Sequence, residues 1–327
     1  MQSFVIGKNE AGQRFDKFLK KYLKGAQASF IYKMLRKKNI TLNGKKADGK
    51  EILVEKDEVK TFFSDETFLK LTGGGNNSLS TDEYIKAYKS LHNIDIIFED
   101  EDILIANKPA GVLTQQTKAG EYSLNEWLTG YLLDSRKLTE DDLTTFKPSV
   151  CNRLDINTSG IVLCGKSLRG LQGLSEDIKK RNIRKLYLTV CHGRVSDRMQ
   201  LNGFLNWDEA KKRASITDDK AKGERIETII TPLKYYESAD VTLLEAELIT
   251  GKHHQIRAHL ASIGHPVIGD KKYGDLCLNK ALNEKCKLAL THQLLFAHRV
   301  ILPDGREFTA KDTAFDSAIQ AIQGENR

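Results

Sequence analysis

Apolar residues recur at helical spacing near the start of the chain, in the segment RFDKFLKKYLKG. Intervals of three and four residues give one apolar stripe, which predicts an amphipathic helix that ends near Gly25. The stripe consists of Phe15, Phe18, Leu19, Tyr22 and Leu23. The next segment, SFIYKMLRKKN, predicts a second helix with Ser29 as a candidate N-cap. A short strand with an Asn-Gly turn in ITLNGKKA and further strand in EILVEKDEVKTFF complete a small α+β module, which we assign to residues 1–70.

After residue 83 the pattern changes to apolar runs that are separated by helical segments and turns. We predict strands in DILIANKP, GIVLCGKS, KLYLTVCHGRV, ETIITPLKYY and VTLLEAELIT. We predict helices in LRGLQGLSEDIKKRN and HQIRAHLASIG, and a hairpin between the last two strands across ESAD. Because strands and helices mix irregularly, the pattern indicates an α+β domain at residues 84–327, with a mixed, mostly antiparallel sheet and flanking helices.

Gly, Asn and Ser dominate the stretch LTGGGNNSLSTDE between these two regions. A Gly-rich stretch can cradle phosphate, but this one lacks the Gly-Lys-Ser/Thr ending of such loops. We therefore expect residues 71–83 to form a flexible linker.

Composition limits the class of protein. No apolar run in the 327 residues approaches the roughly 20 that cross a membrane, and the N-terminus lacks the apolar core of a signal peptide. We therefore expect a cytoplasmic protein. The five cysteines are odd in number and show no Cys-x-x-Cys spacing, so reduced thiols are expected rather than a disulfide framework or a zinc site.

Positive charge is concentrated in the N-terminal module. Residues 12–63 hold 14 Lys and Arg against 6 Asp and Glu, a net charge of +8, whereas the whole chain carries +7. The outer face of the predicted second helix carries Lys33, Arg36, Lys37 and Lys38. Such a face either binds the phosphates of a nucleic acid or is a solvated surface. Confinement of the excess charge to one module favours nucleic-acid binding.

Two segments of the second region carry candidate reactive groups. In NRLDINTSG, Asp155 precedes a Thr-Ser-Gly turn and an apolar strand, a loop position typical of catalytic groups. Capping of that turn by the same carboxylate is the alternative interpretation. In RKLYLTV, Tyr187 lies in an apolar strand, where it is either a core residue or a ring face on which a base stacks.

A third segment, TGKHHQIRAHLASIGHPVIGDKKYGD, clusters histidines around Arg257. On a helix, His253 and Arg257 lie four residues apart, as do Gln255 and His259. The spacing is not that of the His-Glu-x-x-His zinc motif, and no carboxylate lies on the same helix face, so we predict no metal site. The arginine is instead a candidate partner for a carboxylate across a cleft.

Four segments in this order resemble the motifs of the RluA-type pseudouridine synthases. DEDILIANKPAGVLTQ resembles the family's strand motif with Asn-Lys-Pro, NRLDINTSG its His-Arg-Leu-Asp-x-x-Thr-Ser-Gly motif, and RKLYLTV its Arg-Lys-x-Tyr motif. GKHHQIRAHLASIGHPVIGDKKYG resembles the Gly-Arg-Thr-His-Gln-Ile-Arg-x-His-Leu motif and the Gly-His-Pro-x-x-Gly-Asp-x-x-Tyr-Gly run that follows it. The match covers about residues 95–310. The N-terminal module resembles the RNA-binding module of ribosomal small-subunit protein four.

The resemblance implies an enzyme that isomerises specific uridines of structured RNA, with large-subunit ribosomal RNA as the expected substrate. Asp155 is then the carboxylate that acts at the sugar, either by attacking the anomeric carbon or by removing a proton from the neighbouring sugar carbon. Arg257 holds this carboxylate ionised, and Tyr187 stacks under the uracil. Arg153 fills the gap that the flipped nucleotide leaves.

The same resemblance sets the remaining expectations. Further RNA contacts are expected from Asn152, Gln255 and His259. No cofactor is expected, because the isomerisation gains and loses no atoms. The expected partner is RNA, with no membrane and no protein partner implied, and the chain is compatible with a monomer.

The chain departs from the family pattern at three positions. Asn152 stands where the motif has His, and Lys252 and His253 stand where it has Arg and Thr. The residues expected to carry the chemistry all have matches, so the departures bear on substrate contacts more than on activity. The alternatives are an RNA-binding ribosome assembly factor without catalysis, a synthase that acts on transfer RNA, and a hydrolase that removes bases. The hydrolase needs a second acid or base, and no paired carboxylate is apparent in the sequence.

Overall fold

The computed structural model describes residues 1–72, 79–118, 120–217, 219–288 and 290–324. The N-terminal part forms a four-stranded sheet in the order β1-β4-β2-β3, with helices packed against it. Its elements are β1 (Gln2–Val5), α1 (Phe15–Tyr22), α2 (Ala28–Arg36), β2 (Ile40–Leu42), β3 (Lys45–Lys46), β4 (Glu58–Thr61) and α3 (Asp65–Thr72).

This part has a hydrophobic core of its own. The predicted stripe of α1 faces inward, since Phe15, Phe18, Leu19 and Leu23 are fully buried. They pack against side chains from α2 and the sheet. The Asn-Gly turn joins β2 to β3 as predicted, with positive φ at both of its residues, as a two-residue hairpin of the right twist requires. Ser29 is not the N-cap of α2. The helix begins at Ala28, and Gln27 is its N-cap.

The rest of the chain builds a second, larger sheet with helices on both faces. Its first elements in chain order are α4 (Thr81–Ser90), β5 (Asp95–Glu99), β6 (Ile103–Lys108), α5 (Leu124–Asp134), α6 (Asp142–Thr145), β7 (Ser149–Val150), β8 (Ser159–Gly165), α7 (Leu168–Lys180) and β9 (Arg184–His192). The remaining elements are β10 (Met199–Asp208), β11 (Arg213–Thr217), β12 (Glu224–Tyr236), β13 (Val241–Leu248), α8 (Gln255–Ser262), α9 (Leu276–Cys286), β14 (Leu295–Ile301), β15 (Glu307–Thr309) and α10 (Thr313–Gln323).

The large sheet is mixed and mostly antiparallel. Its order is β11-β10-β12-β13-β9-β14-β8-β6-β5, with β15 paired to β14 and β7 paired to β8. The pairing of β14 with β8 is parallel, whereas the other strand pairs are antiparallel. The predicted fold class is therefore confirmed. The predicted hairpin across ESAD is also confirmed, as β12 and β13.

Both faces of the central strands are buried, most completely in β6 and β8, which explains why these strands read as continuous apolar runs. Along β6, Leu104 and Ala106 face one hydrophobic cluster, which includes α4 and α5. Ile103 and Ile105 face the other cluster, which includes α7, α9 and α10. The central strands β8, β9 and β14 thus run between two layers of helices, and their ends carry the loops of the site described below.

The boundary between the two predicted domains stays a prediction. The helix α3 continues to Thr72, past the predicted end of the first domain at residue 70, and α4 begins at Thr81. Residues 73–78 of the predicted linker lie outside the described residues. Among the helices that the structure describes, none is long and apolar enough to span a bilayer.

Candidate functional site

Asp155 lies in the loop between β7 and β8, held by a turn in the backbone. Its carbonyl oxygen accepts a hydrogen bond of 3.0 Å from the amide of Thr158. Two residues further on, Gly160 has a φ of +112°, and a Cβ there would lie 2.1 Å from the carbonyl oxygen of Ala297 on β14. The Thr-Ser-Gly sequence therefore permits the close approach of β8 and β14. The carboxylate of Asp155 is directed away from this turn, toward Arg257.

A buried lysine fastens the same loop to the end of β6. The Nζ of Lys108 donates to the carbonyl oxygens of Pro109, Val112 and Ile156 at 2.9, 2.8 and 3.2 Å. Its side chain is fully buried, and burial lowers its pKa to about 7, against the opposing effect of the Asp155 charge. Lys108 thus ties the Asn-Lys-Pro segment to the loop of Asp155.

Arg257, on α8, joins two carboxylates. Its Nη1 donates to the Oδ2 of Asp155 at 2.7 Å, while its Nε and Nη2 bind the two oxygens of Asp270 at 2.7 and 2.9 Å. Burial opposes the charge of Arg257, but Asp270 and Asp155 outweigh this effect, and the pKa of Arg257 is raised. Asp270 is fully buried and also accepts hydrogen bonds from the amides of Lys272 and Tyr273. Asp270 therefore fixes the arginine through Nε and Nη2, which leaves Nη1 to donate to Asp155.

Tyr187 reaches the same cleft from β9. The residue is 5% exposed and packs with Leu154 and Leu295 in the hydrophobic cluster, yet it lines the cleft beside Asp155. Burial and then the charge of Asp155 raise the pKa of Tyr187 above its ordinary value. Its phenol is accordingly protonated at neutral pH. Tyr187 is therefore part of the core and also forms part of the cleft wall, and stacking of a base on its ring stays a prediction.

Two adjacent histidines face the carboxylate from the start of α8. The Nε2 atoms of His253 and His254 each lie 3.7 Å from an oxygen of Asp155. His254 has a φ of +57°, and its Nδ1 lies 2.9 Å from the hydroxyl of Tyr273. Burial lowers the pKa of His254 to about 4, so this ring is neutral at neutral pH. Trp207, on β10, packs its ring edge-on against both imidazoles.

These residues surround a cleft of about 320 Å³, which lies within the size range of small-ligand sites. Its walls come from the Asp155 loop, from β9 and from the start of α8, and they include Arg153, Asp155, Tyr187, His253, Arg257 and Leu295. The cleft therefore brings together, from segments up to 102 residues apart, the three residues that the sequence proposed for the chemistry.

The residues predicted to contact RNA fall into two groups. Asn152, Gln255 and His259 are bound within the protein. Asn152 bonds to the backbone of Ile161 and Leu163, while Gln255 and His259, each 2% exposed, bond to the hydroxyl of Thr228. Their side chains support β8, β12 and α8 in this structure. Asn152 and Gln255 also border the cleft.

The other predicted RNA contacts are exposed. Arg153 stands at the mouth of the cleft, and Lys33, Arg36, Lys37 and Lys38 lie on the outer side of α2 and just after it. Within the described part of the chain, no acidic side chain forms a salt bridge with any of these five residues. Their charges are therefore available to a polyanion.

Sequence reasoning did not assign Lys108, Asp270, Tyr273 and Trp207 to the site. The first three lie in segments that resembled family motifs, Asn-Lys-Pro and Gly-Asp-x-x-Tyr-Gly, so the motifs were the available signal. Trp207 lies on the β10–β11 hairpin, which has no such motif. The sequence also indicated no carboxylate near the histidines, because Asp155 reaches them from a distant loop.

Comparison with known proteins identifies relatives of this chain. The family model described as RNA pseudouridylate synthase matches residues 102–262. A Mycoplasma genitalium protein, named as an uncharacterized RNA pseudouridine synthase, is 30% identical over 308 residues, which are 92% of this chain and 88% of the relative. A Haemophilus ducreyi protein named ribosomal large subunit pseudouridine synthase C is 30% identical over 302 residues, 92% of this chain and 87% of the relative.

Two solved structures share the fold. Human RNA pseudouridylate synthase domain containing 1 superposes with a TM-score of 0.54 at 20% identity, over 72% of this chain and 96% of its own. Human RNA pseudouridylate synthase domain containing 4 gives a TM-score of 0.56 at 18% identity, over 74% of this chain and 97% of its own. With the sequence relatives and the four motifs, these findings establish that the chain belongs to the RluA-type family of RNA pseudouridine synthases, which are isomerases acting on RNA.

Proposed function

We propose that this enzyme converts specific uridines of large-subunit ribosomal RNA to pseudouridine, with Asp155 acting at the sugar of a flipped nucleotide. The observation that carries the proposal is the Asp155–Arg257 ion pair in one cleft with Tyr187. The choice of RNA is supported by relatives named ribosomal large subunit pseudouridine synthase C, which match 82–94% of their own length.

The chemistry requires a carboxylate beside the sugar and a place for the released base. The bond between the anomeric carbon and a ring nitrogen breaks, the uracil turns, and a ring carbon bonds to the sugar while its proton leaves and a ring nitrogen gains one. Asp155 is 14% exposed, so a nucleotide that enters the cleft can reach it. Either attack on the anomeric carbon or removal of a sugar proton is compatible with this position.

Arg257 and Tyr187 have distinct proposed roles. Arg257 orients the carboxylate, because its other donors are held by the buried Asp270. Tyr187 offers its ring to the uracil, and any proton transfer there starts from the neutral phenol. Together they leave one oxygen of Asp155 free to act on the sugar.

Access to the carboxylate requires the target nucleotide to leave its helix or loop. Arg153 is exposed, lies two residues before Asp155 and borders the cleft. We propose that its guanidinium occupies the gap left by the flipped nucleotide. The basic residues of α2 bind phosphates and position the RNA without reading its sequence, so residues 1–70 serve as an RNA-binding module.

The test is primer extension after carbodiimide modification, which stops at pseudouridine, on ribosomal RNA from cells with and without the gene. We expect one or a few stops in large-subunit RNA to vanish without the gene, and to return with wild type but not with Asp155→Asn. Asp197→Asn, an exposed carboxylate outside the cleft, is the matched control and should restore every stop.

Other outcomes have defined meanings. Stops that change in transfer RNA alone would replace the proposed substrate with transfer RNA. Normal stops with Asp155→Asn would remove the proposed role of this residue. If purified Asp155→Asn still binds RNA while no RNA loses a stop without the gene, the protein acts as an RNA-binding assembly factor under these conditions.

A further inference from the structure

Three potential metal ligands converge at the carboxylate of Asp155. One ring nitrogen of His253, one of His254 and one carboxylate oxygen of Asp155 all lie within 4.8 Å of one another. Each histidine nitrogen is 3.7 Å from an Asp155 oxygen. Ligand atoms about 2.0–2.1 Å from a tetrahedral zinc ion are separated by roughly 3.3 Å, so small movements close this set around one ion.

We propose that Asp155, His253 and His254 bind a divalent cation of the zinc class, and that the bound ion excludes RNA from the cleft. Two imidazoles and one carboxylate are the ligand types that favour zinc over magnesium. Three protein ligands with an open fourth position are also the usual composition of an accessible zinc site. Metal binding is independent of the proposed function, whereas the loss of RNA turnover rests on it.

The surroundings of the three ligands support them in this role. The Nδ1 of His254 lies 2.9 Å from the hydroxyl of Tyr273, which holds the ring in place. The tautomer with the proton on Nδ1 is the one in which Nε2 can bind an ion. The Nε2 of His253 lies 3.7 Å from the Oδ1 of Asp155, and the Nε2 of His254 lies 3.7 Å from Oδ2. Arg257 holds Oδ2 at 2.7 Å, so Oδ1 is the oxygen that we assign to the ion. A metal ligand that is itself held by a further hydrogen bond is the common arrangement.

Binding of one ion by both histidines requires one side-chain movement. The rings of His253 and His254 are stacked, with centroids 4.3 Å apart and an angle of 19° between their planes. An imidazole nitrogen binds an ion in the plane of its ring, and two nearly parallel stacked planes do not meet at a nearby point, so one ring must turn for both to bind a single ion. The side chain of His253 is 49% exposed, whereas that of His254 is 6% exposed, so His253 is the ring that turns.

The inference depends on His253, which stands where the family motif has Thr. With Thr at this position, one imidazole and one carboxylate would remain. His253→Thr is therefore the informative variant. The charges of Arg257 and of the nearby Arg153 and Lys272 weaken cation binding without removing a ligand.

The binding experiment uses the full chain and zinc alone, in competition with a chromophoric chelator. All proteins carry Cys277→Ser, because the exposed thiol of Cys277 is another zinc ligand. We expect one zinc ion per chain, with affinity lowered at least about tenfold by His253→Thr and also by Tyr273→Phe. His92→Thr, an exposed histidine outside the cleft, should bind zinc like the parent protein.

The second experiment measures RNA affinity and turnover with and without zinc. We expect zinc at its dissociation constant to halve RNA binding by the parent protein, a chelator to reverse this, and magnesium to have no such effect. Inhibition of RNA binding and turnover in His253→Thr should require a zinc concentration at least about tenfold higher than in the parent protein. Equal zinc affinity in the parent and His253→Thr proteins, or loss of binding in His92→Thr, would overturn the site. Zinc binding without competition against RNA would overturn the exclusion.

Discussion

The Nη1 of Arg257 donates a hydrogen bond of 2.7 Å to the Oδ2 of Asp155, which lies 102 positions earlier in the chain. Asp155 is fixed by its loop, and Arg257 is fixed by the buried Asp270 behind it. The pair therefore meets with little freedom, and effective catalysis depends on such positioning.

Replacement of Arg257 tests this arrangement. Arg257→Ala leaves the buried carboxylate of Asp270 without its partner, which should cost about 3–5 kcal/mol of stability in addition to turnover. Arg257→Lys retains a charge but cannot bind both carboxylates. We therefore expect it to lose less stability and less turnover than Arg257→Ala. Single-turnover rates, measured well below the melting temperature of each variant, separate the two effects. Near-normal rates for both variants would remove the ion-pair argument.

Substitution can separate the contribution of the Tyr187 hydroxyl from that of its ring. Tyr187→Phe keeps the ring, so we expect RNA affinity to be retained and turnover to fall by about 10²–10⁴, the range of an acid–base contribution. Tyr187→Leu should also weaken binding of the RNA, because the stacking face is lost. A Tyr187→Phe protein with wild-type turnover would show that the hydroxyl takes no part in the reaction.

Arg153 should matter most where a base must leave a helix. We expect Arg153→Ala to slow turnover on a folded RNA by at least about tenfold, and to have a smaller effect on an unpaired fragment with the same uridine, because unstacking then costs less. Arg169→Ala, an exposed arginine outside the cleft, is the control. Equal losses of turnover on both RNAs would indicate that Arg153 contacts a phosphate and does not occupy the gap left by the flipped nucleotide.

The basic face of α2 predicts a salt dependence. Each phosphate contact contributes about 0.7–0.9 to the slope of log affinity against log salt. Lys33→Gln with Lys37→Gln should therefore lower the slope by about 1.5 without changing which uridine is modified. The matched pair Lys86→Gln with Lys89→Gln, on α4, should leave the slope unchanged. An unchanged slope in the first pair would identify the face as a solvated surface.

The lowered pKa of Lys108 predicts that the stability of the protein depends on pH. Its pKa is about 7 in the folded protein, below the ordinary value of 10.5, so between these values the unfolded chain binds a proton that the folded chain releases. Stability from this group therefore rises with pH across this window. Between pH 7 and 9, urea unfolding should show wild type gaining about 2 kcal/mol relative to Lys108→Met. Parallel pH profiles for the two proteins would contradict the lowered pKa.

The sequence determined the local elements and singled out the candidate reactive groups. The helical stripe of α1, the Asn-Gly hairpin and the apolar runs of the large sheet follow from spacing and turn chemistry, which act over a few residues. Asp155, Tyr187 and Arg257 were found because each lies in a short segment that resembles a family motif.

Only the tertiary structure decided which distant groups meet. The bond of Arg257 to Asp270, the hold of Lys108 on the Asp155 loop and the approach of Asp155 to two histidines join segments that no local pattern relates. The sequence likewise did not reveal burial, since the fold encloses the polar side chains of Gln255 and His259 and bonds both to the hydroxyl of Thr228. Spacing along a chain fixes which face of an element a residue shares, whereas the packing of elements fixes what that face meets.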